Sequence, residues 1–404
     1  RENLIADIET SFKNNELDYG RKLYLVENCI YGVDIQSIAA QISKLRFFIS
    51  LIVDQRPDRE RDNYGIRPLP NLETKFVAAN SLIGIKKPLD HDFLVDNEVK
   101  EFEEKLKAVR HLLFSAKTPA VKKRLKENDH TLREMMGNVL KSTGWSNESA
   151  RMLSSWDPYN QNASSSWFDP EWMFGITDGF DIVIGNPPYV QLQKLKGSPL
   201  QKEYKDQNFK VHDSNGDIYC LFYEEGINFL DKKGVLCYIT SNKWMRAGYG
   251  GKLRQYFSEH NPLILIDLGP GVFESATVDT NIMITGKGKN RNQLKAVSIS
   301  DINTDKTDIS SILKTNGVTM SGLGRDSWYI GNEAEQRLKE KIEKTGRPLK
   351  DWDVNIYRGV LTGLNEAFII DTPAKERLCS EDPKSAEIIK PILRGRDIKR
   401  YGYE

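Results

Sequence analysis

Three segments near the start of the chain set the strongest limit on its fold. "NCIYGVDI" (28–35) is a short apolar run ending in an acid. "SIAAQISKLRFFISLIV" (37–53) repeats Ile38, Ile42, Leu45, Ile49 and Ile52 at helical spacing, and "KFVAAN" (75–80) is a second short apolar run. Apolar residues three and four apart line one face of a helix, whereas buried strands read as short continuous apolar runs. Strand, helix, strand is the unit of a parallel α/β sheet, because parallel neighbours need a long crossover. A short helix at 18–27 precedes it, and "FDIVIG" (180–185), "GVLCYIT" (234–240), "LILIDLG" (263–269) and "NIMITGK" (281–287) continue the strands. "DIYCLFYEEGINFL" (217–230) and "GGKLRQYFSEH" (250–260) read as helices between them. Only "PGVFESATVDT" separates the last two strands, too little for a helical crossover, so an antiparallel strand is expected at the edge of the sheet.

Residues 95–145 interrupt this rhythm. They are polar and helical, broken at "SAKTPA", where Thr118 can cap a second helix and Pro119 suits its first turn. A helical hairpin with a solvated charged face is expected, inserted between two parts of one α/β domain at 1–94 and 146–304. From 305 to 404 the pattern is irregular and reads as a second domain. At 404 residues, 39% apolar and 28% charged, the chain has the composition of a soluble globular protein. No run approaches the roughly 18 apolar residues of a membrane span, and the charged start has no signal-peptide core. The four cysteines form no CxxC pair, so neither a metal site nor a disulfide framework is expected, and a cytoplasmic location is. The net charge of +1 hides basic clusters at 122–126, 194–205 and 390–400.

"FDIVIGNPPYVQLQ" (180–193) ends a strand at unusual cost. Two prolines remove two backbone donors and lock two φ angles, and the tyrosine after them is held in few directions. Ligands of open α/β sheets sit beyond the carboxyl ends of the strands. There the side-chain carbonyl of Asn186 and the backbone carbonyl of Pro187 can both accept hydrogen bonds. Converging on one NH₂ group, they would orient it and localise a lone pair otherwise delocalised into a ring. Tyr189 would stack on a flat substrate. No strong base is required, since the nitrogen can lose its proton after attack. The plainer alternative is a rigid loop without chemistry.

"NPPY" after such a strand resembles the catalytic motif of S-adenosylmethionine-dependent amino-methyltransferases, which act on DNA adenine N6, on protein glutamine or on RNA. The remaining motifs single out one branch. "IYGVDIQSIAAQISKLRFFISL", "KFVAANSLIG", "DIYCLFYEEGINFLDKKGVLCYITSNKWMRAGYGGKLRQYF" and "LIDLGPGVFESATVDTNIMI" resemble motifs of large type IIG restriction–modification enzymes and related adenine methyltransferases. "IYRGVLTGLNEAFIID" and "IIKPILRGRDIKRYGYE" resemble the opening of their target-recognition domain. The resemblance covers most of the chain outside the hairpin. It implies a Rossmann-like methyltransferase sheet, S-adenosylmethionine as cofactor, double-stranded DNA as partner, and methylation of a flipped-out adenine. At matching positions, Asp34 would meet the cofactor ribose and Asn80 its adenine, with Ile35 and Ser81 also in the cofactor site. Asn186, Pro187, Pro188 and Tyr189 would form the substrate platform, and Phe273 would close on the other face of the base. Arg394, Arg396, Lys399 and Arg400 would contact DNA. Asp217 reads as a helix cap, and Gly269–Gly271 as a turn.

The pattern also departs from that family. A glycine-rich cofactor loop is expected upstream of Tyr31, yet residues 1–30 hold only Gly20. The sheet's central strand would be missing with it. "PDRERD" (57–62) lacks the strand and lysine of a PD…(D/E)xK nuclease. The chain therefore reads as the middle of a longer enzyme, catalytically silent alone, with any nuclease outside it. A protein or RNA methyltransferase, usually more compact, and a non-catalytic DNA-binding remnant are the alternatives.

Overall fold

The computed structural model describes residues 18–403 except 54, 56, 61, 67, 87–92, 143–144, 274–277, 300–307, 332, 356–364 and 394–396. The chain divides into two compact units, Arg1–Ala334 and Glu335–Glu404. The first begins with α1 (Asp18–Asn28), β1 (Gly32–Asp34), α2 (Ser37–Val53) and β2 (Phe76–Ala78). β1 and β2 pair in parallel, Asp34 opposite Ala78, as the strand–helix–strand pattern requires. The stripe of α2 legible in the sequence is not its buried face. Ile38, Ile42, Leu45, Ile49 and Ile52 are 44–57% exposed, while Ala40, Lys44 and Leu51 are buried. Phe47 meets Phe76 with ring centroids 4.8 Å apart. The helix is apolar on two sides, and its small and aromatic residues are the ones that reach the strands.

α3 (Phe93–Phe114) and α4 (Pro119–Ser142) form a hairpin, with the Val121 N–H donating to Thr118 Oγ1 at 3.4 Å. Not all of its charges are solvated. Leu106, Met136 and Leu140 join the main core, and Asp129 is fully buried between Arg110 (2.9 Å) and Arg133 (2.7 Å). Arg133 also donates to the carbonyls of Ser154 and Trp156, at the end of α5 (Asn147–Ser155). Arg110 donates at 2.7 Å to the carbonyl of Trp172 in α6 (Pro170–Phe174). The two guanidinium groups weld the hairpin to the body of the unit.

The main sheet comprises β3 (Phe180–Gly185), β4 (Leu230–Ser241), β5 (Asn261–Gly269), β6 (Thr280–Gly286), β7 (Leu294–Ser298) and β8 (Val318–Met320), in the order β3-β4-β6-β5-β7-β8. The antiparallel pairing of β5 with β6 is as expected from their short connection. Its position is not: β6 lies inside the sheet, antiparallel to both β4 and β5, because the chain folds straight back between them. A different antiparallel strand, β8, closes that edge. At the other edge β3 pairs only with β4 among the described residues, and Ile182 and Ile184 are 69% and 79% exposed. α7 (Pro199–Asp206) follows β3, α8 (Tyr219–Asn228) leads into β4, α9 (Gly251–Glu259) into β5 and α10 (Ile309–Asn316) into β8. Gly226 lets α8 lie against β4, since a Cβ there would sit 2.4 Å from Leu236 Cδ1.

The second compact unit runs from Glu335 to Glu404. Trp328 is buried against Trp244, ring centroids 5.3 Å apart, which keeps its stretch of chain in the first unit. Beyond it come α11 (Glu333–Thr345), α12 (Asn365–Phe368), α13 (Thr372–Glu381), α14 (Ser385–Ile388) and the antiparallel pair β9 (Ile398–Lys399) and β10 (Gly402–Tyr403). No helix among the described residues is long and apolar enough to cross a membrane.

Candidate active site

β3 runs parallel to β4, and β6 runs antiparallel to both β4 and β5, so β3, β4 and β5 share one direction. Their carboxyl ends, Gly185, Ser241 and Gly269, open on the same side, where ligands of such sheets bind. Asn186 leaves β3 there with an exposed side chain; Pro187 is buried and Tyr189 half-buried. The Tyr189 hydroxyl donates to Asn186 Oδ1 at 3.0 Å. Burial pushes the Tyr189 phenol up, which keeps it a neutral donor. An amide carbonyl has two lone pairs, so Asn186 Oδ1 retains room for a second donor. The Pro187 carbonyl accepts no backbone hydrogen bond from the described residues.

The far leg of this loop is pinned. Leu192 N–H donates to the Gly216 carbonyl and Ile218 N–H to that of Val190, each at 2.8 Å. Asp217, between them, is not the helix cap expected. Ile218 is the residue preceding α8, without a side-chain cap bond, and the Asp217 carboxylate turns instead to the Tyr249 hydroxyl at 2.8 Å. The reason is packing: the loop pairing turns Asp217 inward, toward the turn at Gly248–Gly250.

The expected cofactor residues form a second group. Asp34 ends β1 exposed, with Oδ1 accepting the Gln36 N–H at 2.8 Å and its backbone carbonyl accepting that of Ala79 at 2.8 Å. Ile35 beside it is exposed. Asn80 is buried; its Oδ1 accepts the Leu82 N–H at 3.2 Å and its Nδ2 donates to the Tyr204 hydroxyl at 3.5 Å. Ser81 is half-buried. The β1–β2 pairing thus brings Asp34 and Ile35 beside Asn80 and Ser81. Tyr204 of α7, downstream of the platform, ties this group to the segment following Tyr189.

Phe273 is half-buried beyond the end of β5, two residues after Gly271, whose φ of 86° only glycine adopts readily. Buried Asp267 braces this exit by accepting from Asn242 Nδ2 at 2.9 Å. Lys399 and Arg400 belong to the second unit; Lys399 pairs with Gly402, and Arg400 lies over the ring of Tyr401 at 5.4 Å. Arg394 and Arg396 lie outside the described residues. Sequence reasoning passed over Tyr204, Asn242, Tyr249 and Asp267. Asn242 and Asp267 carry a signal, an amide and an acid at strand ends, but the two tyrosines carry none. A cavity of about 570 Å³ lies elsewhere, at the amino ends of β1 and β2, lined by Tyr31, Lys75, Arg110 and Glu171. Burial lowers the Lys75 amine there to about 8, and none of the expected site residues lines it.

Residues 28–273 match the family described as the Eco57I restriction-modification methylase. Among curated relatives, the type II restriction enzyme and methyltransferase RM.Eco57I of Escherichia coli is 27% identical over 196 residues, 47% of this chain and 19% of its own length. The type II methyltransferase M.BstVI of Geobacillus stearothermophilus is 27% identical over 213 residues, 48% of this chain and 37% of its own. M.PaeR7I of Pseudomonas aeruginosa is 28% identical over 208 residues, 48% and 35%. The chain thus spans well under half the length of each. Among solved structures, the type IIL restriction-modification enzyme MmeI in complex with DNA is 12% identical, covering 74% of this chain and 37% of its own, with a TM-score of 0.33.

Proposed function

The chain belongs to the Eco57I restriction-modification methylase family, and from that premise we propose that its first unit carries the methyl-transfer site of a site-specific DNA adenine-N6 methyltransferase. The observation that supports this reading best is the platform at the end of β3: Asn186 Oδ1 and the Pro187 carbonyl beside a half-buried Tyr189. S-adenosylmethionine, when bound, supplies an electrophilic methyl carbon. The residues present suit it. Asp34 offers an exposed carboxylate with only one oxygen engaged by Gln36, the acceptor that a ribose diol needs, and Ile35, Asn80 and Ser81 would shape the adenine end.

In this reading double-stranded DNA delivers a flipped-out adenine. Tyr189 and Phe273 stack on its two faces. The Asn186 and Pro187 carbonyls accept the two N–H bonds of the 6-amino group, which localises the nitrogen lone pair. Positive charge then develops on that nitrogen, and the same two dipoles already point at it. Asn186 is exposed, so the surplus proton can leave to solvent without a buried base.

The test is Asn186→Ala in the intact protein. Methyl transfer to DNA should fall by about 10²–10³-fold, the usual cost of losing one preorganised transition-state partner. DNA binding should persist. Methylation at near the wild-type rate would remove Asn186 from the chemistry.

A further inference from the structure

Asp217, Tyr249 and Tyr219 stand next to the platform and take part in none of the steps above. Asp217 is only 8% exposed and accepts the Tyr249 hydroxyl at 2.8 Å. A carboxylate can only accept, so the Tyr249 proton is committed to it. The Tyr249 oxygen is then the acceptor for the fully buried Tyr219, whose hydroxyl lies 2.8 Å away. The chain of bonds has one direction: Tyr219 to Tyr249 to Asp217. Its members touch three parts of the site. Asp217 sits between the residues that pair with Val190 and Leu192. Tyr249 lies on the turn that leads from β4 into α9, in which Gly250 is so close to Trp244 that a Cβ would strike its carbonyl. The Tyr219 ring stands edge-on to Tyr189, with centroids 6.2 Å apart and planes at 89°.

We propose that Asp217 and Tyr249 are positioning residues for Tyr189. The charge-assisted bond to Asp217 fixes Tyr249, and Tyr249 fixes the rotation of Tyr219 through its hydroxyl. The edge of Tyr219 then holds the Tyr189 ring, while the Tyr189 hydroxyl is held at its other end by Asn186. The plane offered to a flat substrate is thus set from beneath, before any substrate arrives. This inference rests on the methyl-transfer reading of the platform.

The test uses the intact protein with meta-fluorotyrosine placed at position 189, observed by fluorine NMR without DNA, alongside steady-state methylation. Tyr249→Phe removes one oxygen and interrupts the chain. The Tyr189 resonance should broaden or split, and kcat should fall about tenfold with KM for DNA within about twofold, as for a misoriented reacting group. Asp217→Asn in the otherwise unaltered protein keeps an acceptor for Tyr249 and should retain a single resonance and most of the rate. If Tyr249→Phe does not fold, Tyr219→Phe breaks the chain at its other end and should broaden the same line. A single unchanged resonance in the folded variant overturns the proposal, even if the rate falls. If the wild-type protein methylates no DNA, the functional reading fails, and the fluorine comparison still decides whether the chain positions Tyr189.

Discussion

Phe273 is the proposed site residue whose role depends most on its surroundings. Its neighbour Val272 packs with the cluster of Ile266, Leu268, Val297 and Ile299, whereas Phe273 follows a glycine turn beyond the end of β5. The ring is half-buried, which suits a wall that a base can reach better than a core position does. Stacking on one aromatic ring is worth about 1–3 kcal/mol. Phe273→Ala in the intact protein should therefore weaken capture of an extruded base by that amount, read from the fluorescence of aminopurine at the target position. An unchanged fluorescence titration would return Phe273 to a packing role.

Among the elements, the α3–α4 hairpin carries a charge arrangement that its sequence conceals. Asp129 is fully buried and holds Arg110 and Arg133, which also donate to backbone carbonyls of α6 and of the end of α5. Removing one member of a buried ion cluster leaves the others desolvated and unpaired, at a cost of about 3–5 kcal/mol. Asp129→Ala should lower the midpoint of denaturant unfolding accordingly. Lys123 and Glu127, an exposed pair on the same helix, are 3.8 Å apart and should matter little when replaced. Equal shifts at both places would mean that the hairpin is not welded through Asp129.

The whole molecule has two compact units, and the proposed DNA contacts of the second are carried by Lys399 and Arg400 among the described residues. Both side chains are exposed on a short β pair, where a phosphate backbone could reach them. A cation that neutralises one phosphate contributes roughly 0.9 to the salt slope of binding. Reversing both charges in the intact protein should weaken DNA binding and flatten its dependence on salt. Unchanged slopes would leave the second unit without an electrostatic part in binding.

What was legible in the sequence was local. The strand–helix–strand start, the Thr118–Pro119 helix start and the strand that ends at Gly185 before the proline turn all follow from periodicity and turn chemistry within a few residues. The antiparallel run of β6 against β5 followed from the length of one connection. Tertiary structure decided everything that depends on which surfaces meet. It buried Ala40 and Leu51 of α2 rather than the isoleucine stripe, since spacing marks an apolar face without saying what lies against it. It put β6 between β4 and β5, because strand order is set by pairing across the sheet. It also turned Asp217 from an expected cap into the acceptor for Tyr249, because a buried carboxylate is placed by the donors that distant segments bring to it.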